Sequence, residues 1–241
     1  MPKIARPVPL ASRPYRRAAY LIAAACFVML AVIFGHPYFT NASRPARGIS
    51  DPIIALEMAR DVREVDAILA DVPSPDREIM RLKQYADFGF IVTYTLLALT
   101  LGEILSKRTK LGRALALTAV LAAAFDAREN ILILKIVATP LEATSQAMLD
   151  ALRLSSIIKW TLTAVTLAIL AFCWIKIQRW FARVIAGMEF AGAALAIAGI
   201  AVNPLLPWSA ALMAFGILLN AATLKFLTHE PATANPVSRP V

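Results

Sequence analysis

The sequence predicts an all-α, polytopic membrane helix bundle with six transmembrane helices, and three observations carry that prediction. Of 241 residues, 59% are apolar and 17% charged, with a mean hydropathy of +0.65. Soluble domains run near ~45–50% apolar and ~25% charged. Six stretches approach the ~20 apolar residues that span a ~30 Å hydrocarbon core. The net charge of +9 gathers in alternate connections, as the positive-inside rule requires.

The first predicted span covers 18–35, behind a basic tail (1–17) carrying Lys3, Arg6, Arg13, Arg16 and Arg17. A basic tail before an apolar run also fits a cleaved signal, with Thr40-Asn41-Ala42 as a small-x-small site. The apolar run is long for a signal, and His36-Pro37-Tyr38-Phe39 reads as an interfacial anchor. Residues 36–87 form the one sizeable hydrophilic insertion, and three short amphipathic extracytoplasmic helices are predicted within it. Asp51-Pro52 places an N-cap before a first-turn proline. Asp61 with Glu64 forms a capping box, and Ser74-Pro75 opens a third helix that runs into the next span. These helices fit a structured loop packed on the bundle or a lid over a cavity within it.

The second span is predicted at 88–105, followed by Lys107, Arg108, Lys110 and Arg113. The third covers 111–137 and crosses a charged patch. The fourth covers 156–175, after a loop at 138–155, and is followed by Lys176, Arg179 and Arg183. The fifth and sixth, 184–202 and 208–226, flank Asn203-Pro204-Leu205-Leu206-Pro207, because neither proline sits in a helix interior without losing hydrogen bonds. Gly192 and Ala196 form a small-xxx-small pair suited to internal packing. Residues 18–227 thus make one transmembrane domain, and 228–241 a disordered cytoplasmic tail. Both termini fall on the basic, cytoplasmic side. The same distribution argues against nucleic acid as a partner and for the lipid bilayer.

The informative segment is Phe125-Asp126-Ala127-Arg128-Glu129-Asn130 in the third span. Asp126, Glu129 and Asn130 share one helix face, while Arg128 and Lys135 lie on another. Each charge at a span centre costs about 2.5–3.5 kcal/mol, so three in four positions approach ~7–10 kcal/mol before any allowance for depth. Such groups must face protein or water. Candidate neighbours are Asp87, Phe90 and Tyr94 on one face of the second span, and Lys159, Trp160 and Thr163 on the fourth. The expected site is a polar chamber in the outer half of the membrane. Asp126, Glu129 and Asn130 form one wall and Tyr94 another. Arg128 and Lys159, with Lys135 as a further candidate, supply countercharge. An Arg128–Asp87 pair is one option. Glu189 either snorkels to Arg183 or faces a neighbouring helix.

Three readings follow. The chamber binds or transports an amphiphile, proton or cation. Alternatively, its charges are an internal ion-pair network in a structural or assembly subunit. The third reading is an intramembrane lipid-modifying enzyme, with Asp126 and Glu129 as acid and base. No catalytic set can be named, since no nucleophile with an attached histidine is apparent. With two cysteines and two histidines, no metal site or cofactor is expected. Phosphate-loop, dinucleotide and zinc-protease motifs are absent from the sequence.

Ala55-Leu56-Glu57-Met58-Ala59, then Asp87-Phe88-Gly89-Phe90-Ile91 with Tyr94, then Phe125-Asp126 with Glu129-Asn130 occur in that order. The arrangement resembles a group of bacterial multi-pass integral membrane proteins of unassigned activity, with a surface helix, a D-x-x-F…Y helix and a D-x-x-E-N helix. The similarity spans roughly residues 50–137. It implies a bacterial inner (plasma) membrane location and singles out Asp87, Tyr94, Asp126, Glu129 and Asn130 without implying a reaction.

Overall fold

The computed structural model describes residues 8–9, 13–40, 46–107, 109–177, 179–223 and 228–229. Asn41 and Ala42 of the proposed cleavage site, most of the N-terminal tail and residues 230–241 lie outside them. The regular structure of the described residues is helical apart from a two-residue antiparallel pairing of β1 (Val8–Pro9) with β2 (Thr228–His229) and an isolated Ala46–Ile49 bridge.

Eight α-helices follow in order: α1 (Arg13–Phe34), α2 (Pro52–Glu57), α3 (Val62–Leu69), α4 (Pro75–Ser106), α5 (Leu111–Ala138), α6 (Gln146–Ile175), α7 (Trp180–Ala201) and α8 (Leu206–Thr223). The six long helices form a ring in which each packs on its sequence neighbour, and α1 closes the circle between α8 and α4. The α1–α8 seam is the thinnest contact in that ring. The small helices α2 and α3 cover one end of it, called here the capped end.

Among the described residues, four helices are long and apolar enough to cross a membrane: residues 17–34 of α1, α4, α6 and α7. This makes the chain a membrane protein by length and composition. Helix α5 carries Arg113, Asp126, Arg128, Glu129 and Lys135 and falls outside that set. The sequence reading placed a loop at 138–155, but α6 begins at Gln146. Gln146, Asp150 and Arg153 make its first turns polar, so hydropathy alone truncates the helix. At 1.5 Å per residue, the 32 residues of α4 and 30 of α6 extend ~48 and ~45 Å, beyond the apolar spans read from sequence.

The short helices start where the side chains dictate. Asp51 accepts hydrogen bonds from the Ile53 and Ile54 amides at 2.9 and 3.1 Å. Asp61 accepts from the Glu64 amide at 3.1 Å. Glu64 returns the box one residue early, accepting from the Arg60 amide at 2.7 Å. Ser74 Oγ accepts from the Asp76 amide at 3.2 Å and donates to the Leu69 carbonyl at 2.6 Å. Helix α4 then runs from Pro75 without a break into the expected second span.

Two buried cations finish helix ends. Arg77 Nη1 donates to the carbonyls of Ile136, Val137 and Thr139 at 2.7–3.0 Å, covering the C-terminus of α5. Lys83 Nζ donates to the Ile33 and Gly35 carbonyls at 2.5 and 2.9 Å, covering that of α1. A positive charge at the last turn satisfies orphan carbonyls and complements the helix dipole. At the opposite end, α4 and α5 meet glycine to glycine. A Cβ on Gly102 would lie 2.7 Å from the Gly112 carbonyl oxygen, so only glycine permits this approach. Gly192 packs internally against Leu167 and Leu212.

Arg47, at φ 56°, hands its Nε to Asn203 Oδ1 at 2.8 Å and its Nη1 to Glu64 at 3.4 Å, fastening α3 to the α7–α8 turn. Asp71 Oδ1 accepts from the Leu141 and Val72 amides at 2.9 and 2.8 Å, joining two loops. The Leu141 and Val72 hydrogen bonds hold the Asp71 carboxyl below the usual aspartate range. Its contribution is therefore present above the unfolded aspartate value and disappears as pH falls through the lowered folded value. The protection factor of the Leu141 amide against hydrogen exchange should fall on acidification through that range. Asp71→Asn should make that factor insensitive to the carboxyl's titration, and identical acid profiles for both proteins would contradict the assignment.

Candidate functional site

Lys159 stands at the centre of the polar cluster. It is buried on α6, and its Nζ lies 2.6 Å from Glu129 Oε1, 3.0 Å from Glu57 Oε1 and 3.5 Å from Asp126 Oδ1. These carboxylates come from α5 and from α2 in the cap. Glu57 uses its other oxygen to accept from Trp160 Nε1 at 2.8 Å. The Lys159 ammonium also lies 5.0 Å from the centre of the Trp160 ring. Tyr94 donates its hydroxyl to Asp126 Oδ2 at 3.0 Å, and Asn130 Nδ2 donates to Asp87 Oδ2 at 2.7 Å. Glu129 Oε2 is buried without a hydrogen-bond partner.

This constellation needs the helical phase of α5. Asp126, Glu129 and Asn130 at i, i+3 and i+4 all project inward and are all buried. Asp87 and Tyr94, seven residues apart on α4, project toward them. The structure thus brings together Asp87, Tyr94, Asp126, Glu129, Asn130 and Lys159.

Arg128 does not join them. Its Nη1 donates to Ser155 Oγ on α6 at 2.8 Å, because the 100° step from Ala127 turns it off the inward face. The optional Arg128–Asp87 pair is therefore not formed, and Asp87 is met by Asn130 instead. Lys135 is exposed and supplies no countercharge to the cluster. Glu189 faces a neighbouring helix: its Oε1 accepts from Asn220 Nδ2 on α8 at 2.6 Å, not from Arg183. Asn220 Oδ1 in turn accepts from Trp174 Nε1 at 2.5 Å.

A cavity of about 180 Å³ runs down the inside of the ring. It far exceeds the ~10–15 Å³ needed to admit one water. Asp51, Glu57, Asp87, Asp126 and Lys159 line its capped end, and Glu189 and Asn220 its far end. Between them the wall is mainly apolar, with Leu97, Leu101, Leu115, Ala119, Leu167 and Leu170, and it carries the hydroxyls of Thr163 and Thr166. Burial pushes the Asp51 carboxyl above its usual value against the pull of the Ile54 and Ile53 amides. Leu30 and Phe34 of α1 also line the space, and Phe34 is 54% exposed.

Sequence reading passed over Glu57 as a site residue, although a signal was present. Glu57 stands at i+4 from Ile53 and i+3 from Ile54, which puts it on the apolar face of α2. Asn220, a lone amide in an otherwise apolar stretch of α8, carried a similar signal. Comparison with protein-family models, curated proteins and solved structures found no match to this chain.

Losing Lys159 leaves three buried carboxylates facing one another. Lys159→Met should lower stability by about 3–5 kcal/mol, the cost of orphaning a buried ion pair. Glu129→Gln should cost less, since one Glu129 oxygen is unbonded already. Thermal unfolding in detergent checks the order, and a Lys159→Met protein as stable as wild type would remove Lys159 from its central role.

Proposed function

We propose that this chain is a six-span bacterial inner-membrane protein that binds a cationic amphiphile within the ring, as a receptor or as a step in its transport. In this reading both termini face the cytoplasm and the segment 36–87 is an extracytoplasmic lid. Its basic tails and its α4–α5 and α6–α7 connections then obey the positive-inside rule. The ligand's charged head lies at the capped end, against Asp87 and Asp126, and its chain lies along the apolar wall.

One observation carries the proposal. Five carboxylates (Asp51, Glu57, Asp87, Asp126 and Glu189) and one ammonium (Lys159) line the cavity. No cation among the described residues forms a salt bridge with Asp87 or Glu189. An uncompensated charge at membrane depth costs about 2.5–3.5 kcal/mol, so a cationic guest gains what the protein leaves unpaid. The exposed side of Phe34 supports entry from the lipid side. The three sequence segments that carry the family resemblance converge on this one space, which supports a shared role for them.

A second reading has its own support. The Lys159 network joins α2, α5 and α6, as expected of glue in a structural or assembly subunit. The two readings diverge under mutation. Dodecylamine should raise the melting temperature of the purified protein, whereas dodecanol and dodecanoate should not. At a hundredfold excess over Kd the gain approaches ~2.7 kcal/mol. Asp87→Asn and Asp126→Asn should abolish that gain while the ligand-free protein still folds. Loss of folding in both variants, with no amine effect on wild type, would favour the structural reading.

A further inference from the structure

The far end of the cavity holds a carboxylate that the cluster around Lys159 does not explain. Glu189 is 3% exposed, midway along a membrane-length helix, and lines the cavity wall. Its Oε1 is fixed by Asn220 Nδ2 at 2.6 Å. Asn220 is itself oriented by Trp174 Nε1 and by donating to the Gly216 carbonyl at 2.7 Å. No hydrogen bond or salt bridge to Glu189 Oε2 is formed among the described residues. This geometry resembles a held acceptor more than a closed pair. One oxygen is tethered by a neutral amide, and among the described residues the carboxylate has no salt-bridge partner.

The separation from the capped end follows from helix packing. A Cβ on Gly192 would lie 3.3 Å from Leu167 Cδ1, so these residues are level on α7 and α6. The two helices are sequence neighbours running in opposite directions, which puts Glu189 about level with Leu170. Lys159 is eleven residues further along α6, about 16 Å away along the axis. The wall between is lined mainly by apolar side chains, with Thr163 and Thr166 of α6 the hydroxyl-bearing exceptions on that helix.

We infer that Glu189 and Asn220 form a second ammonium subsite, and that the cavity takes an alkyl diamine: two cationic ends joined by an apolar spacer of about 16 Å. The inference rests on the amphiphile reading above and narrows its ligand class. Each ammonium end donates N–H to carboxylate oxygens, at Asp87 and Asp126 in one direction and at Glu189 in the other. The spacer covers Leu97, Leu101, Leu167 and Leu170.

The test compares dodecylamine with dodecane-1,12-diamine on the full chain in detergent, by thermal shift and calorimetric titration. Wild type should bind the diamine roughly tenfold more tightly, the equivalent of one added charge-assisted hydrogen bond. Glu189→Gln should erase that preference, while dodecylamine still binds through Asp87 and Asp126. Gly216→Ala approaches the same subsite from α8, since its new Cβ would lie 2.8 Å from Glu189 Oε1 and displace the carboxylate. It should reduce the preference in the same way, and it keeps the test intact if Glu189→Gln fails to fold.

Equal affinity for both amines in wild type, or a diamine preference that survives Glu189→Gln, overturns the second subsite and leaves the capped-end reading standing. Diamine binding that depends on Glu189, without dodecylamine binding, supports the second subsite and counts against the capped-end head site. Binding of neither amine overturns both.

Discussion

The Lys159 ammonium is the interaction on which the interior of this bundle depends. It reaches carboxylates on α5 and α2 from its own place on α6, so it ties two ring helices and the cap to a single point. Without it, Glu57, Asp126 and Glu129 would repel one another at a depth where water cannot screen them. The network also sets the position of α2. That helix has six residues and is too short to be stable by itself. Asp51 fixes its start, and Glu57, bonded to both Lys159 and Trp160, fixes its end. The floor of the cap is therefore part of the site, and a change in the charge of the cavity is felt directly by the cap.

The other two buried cations at this end do different work. Arg77 and Lys83 are spent on backbone carbonyls at the ends of α5 and α1. Lys83 additionally lies 5.7 Å from the Phe39 ring. Neither forms a salt bridge among the described residues, and Lys83 acts on the cavity through space, on the Asp51 carboxylate. The capped end thus holds three buried cations and a cavity that remains acidic. The division follows from register: Arg77 and Lys83 lie in the first turns of α4, at the height where neighbouring helices stop, whereas Lys159 lies well within α6.

Much of this was legible in the sequence, for physical reasons that differ by residue. The caps at Asp51, Asp61 and Ser74 were legible because capping is local chemistry between residues at most three apart. The inward face of Asp126, Glu129 and Asn130 was legible because helical phase is fixed by spacing. Their meeting with Tyr94 and Lys159 followed from the cost of leaving charges in lipid, which demands partners at matching depth. Phase also put Arg128 away from that face, yet its pairing depended on which neighbour stood opposite, and Ser155 lay in a stretch read as loop. The first turns of α6 were lost because hydropathy detects a span and not the helix that extends beyond it. Glu57 escaped that logic because the depth argument applies to residues within the spans, whereas this carboxylate arrives from a connecting segment.

Stability alone accounts for some of these charges and not for others. Lys159, Glu57, Asp126 and Glu129 form a network in which all three carboxylates are held by the one ammonium, so the packing of α2, α5 and α6 around it accounts for their presence. Asp87 and Glu189 are outside that logic. Each is met by an asparagine amide, and an amide or an apolar residue at either position would satisfy the same neighbour or fill the same space without burying a charge. A carboxylate there makes the folded chain harder to assemble in lipid. The two stand at opposite ends of one apolar-walled cavity, which is where charge surplus on the protein becomes affinity for a guest of opposite charge.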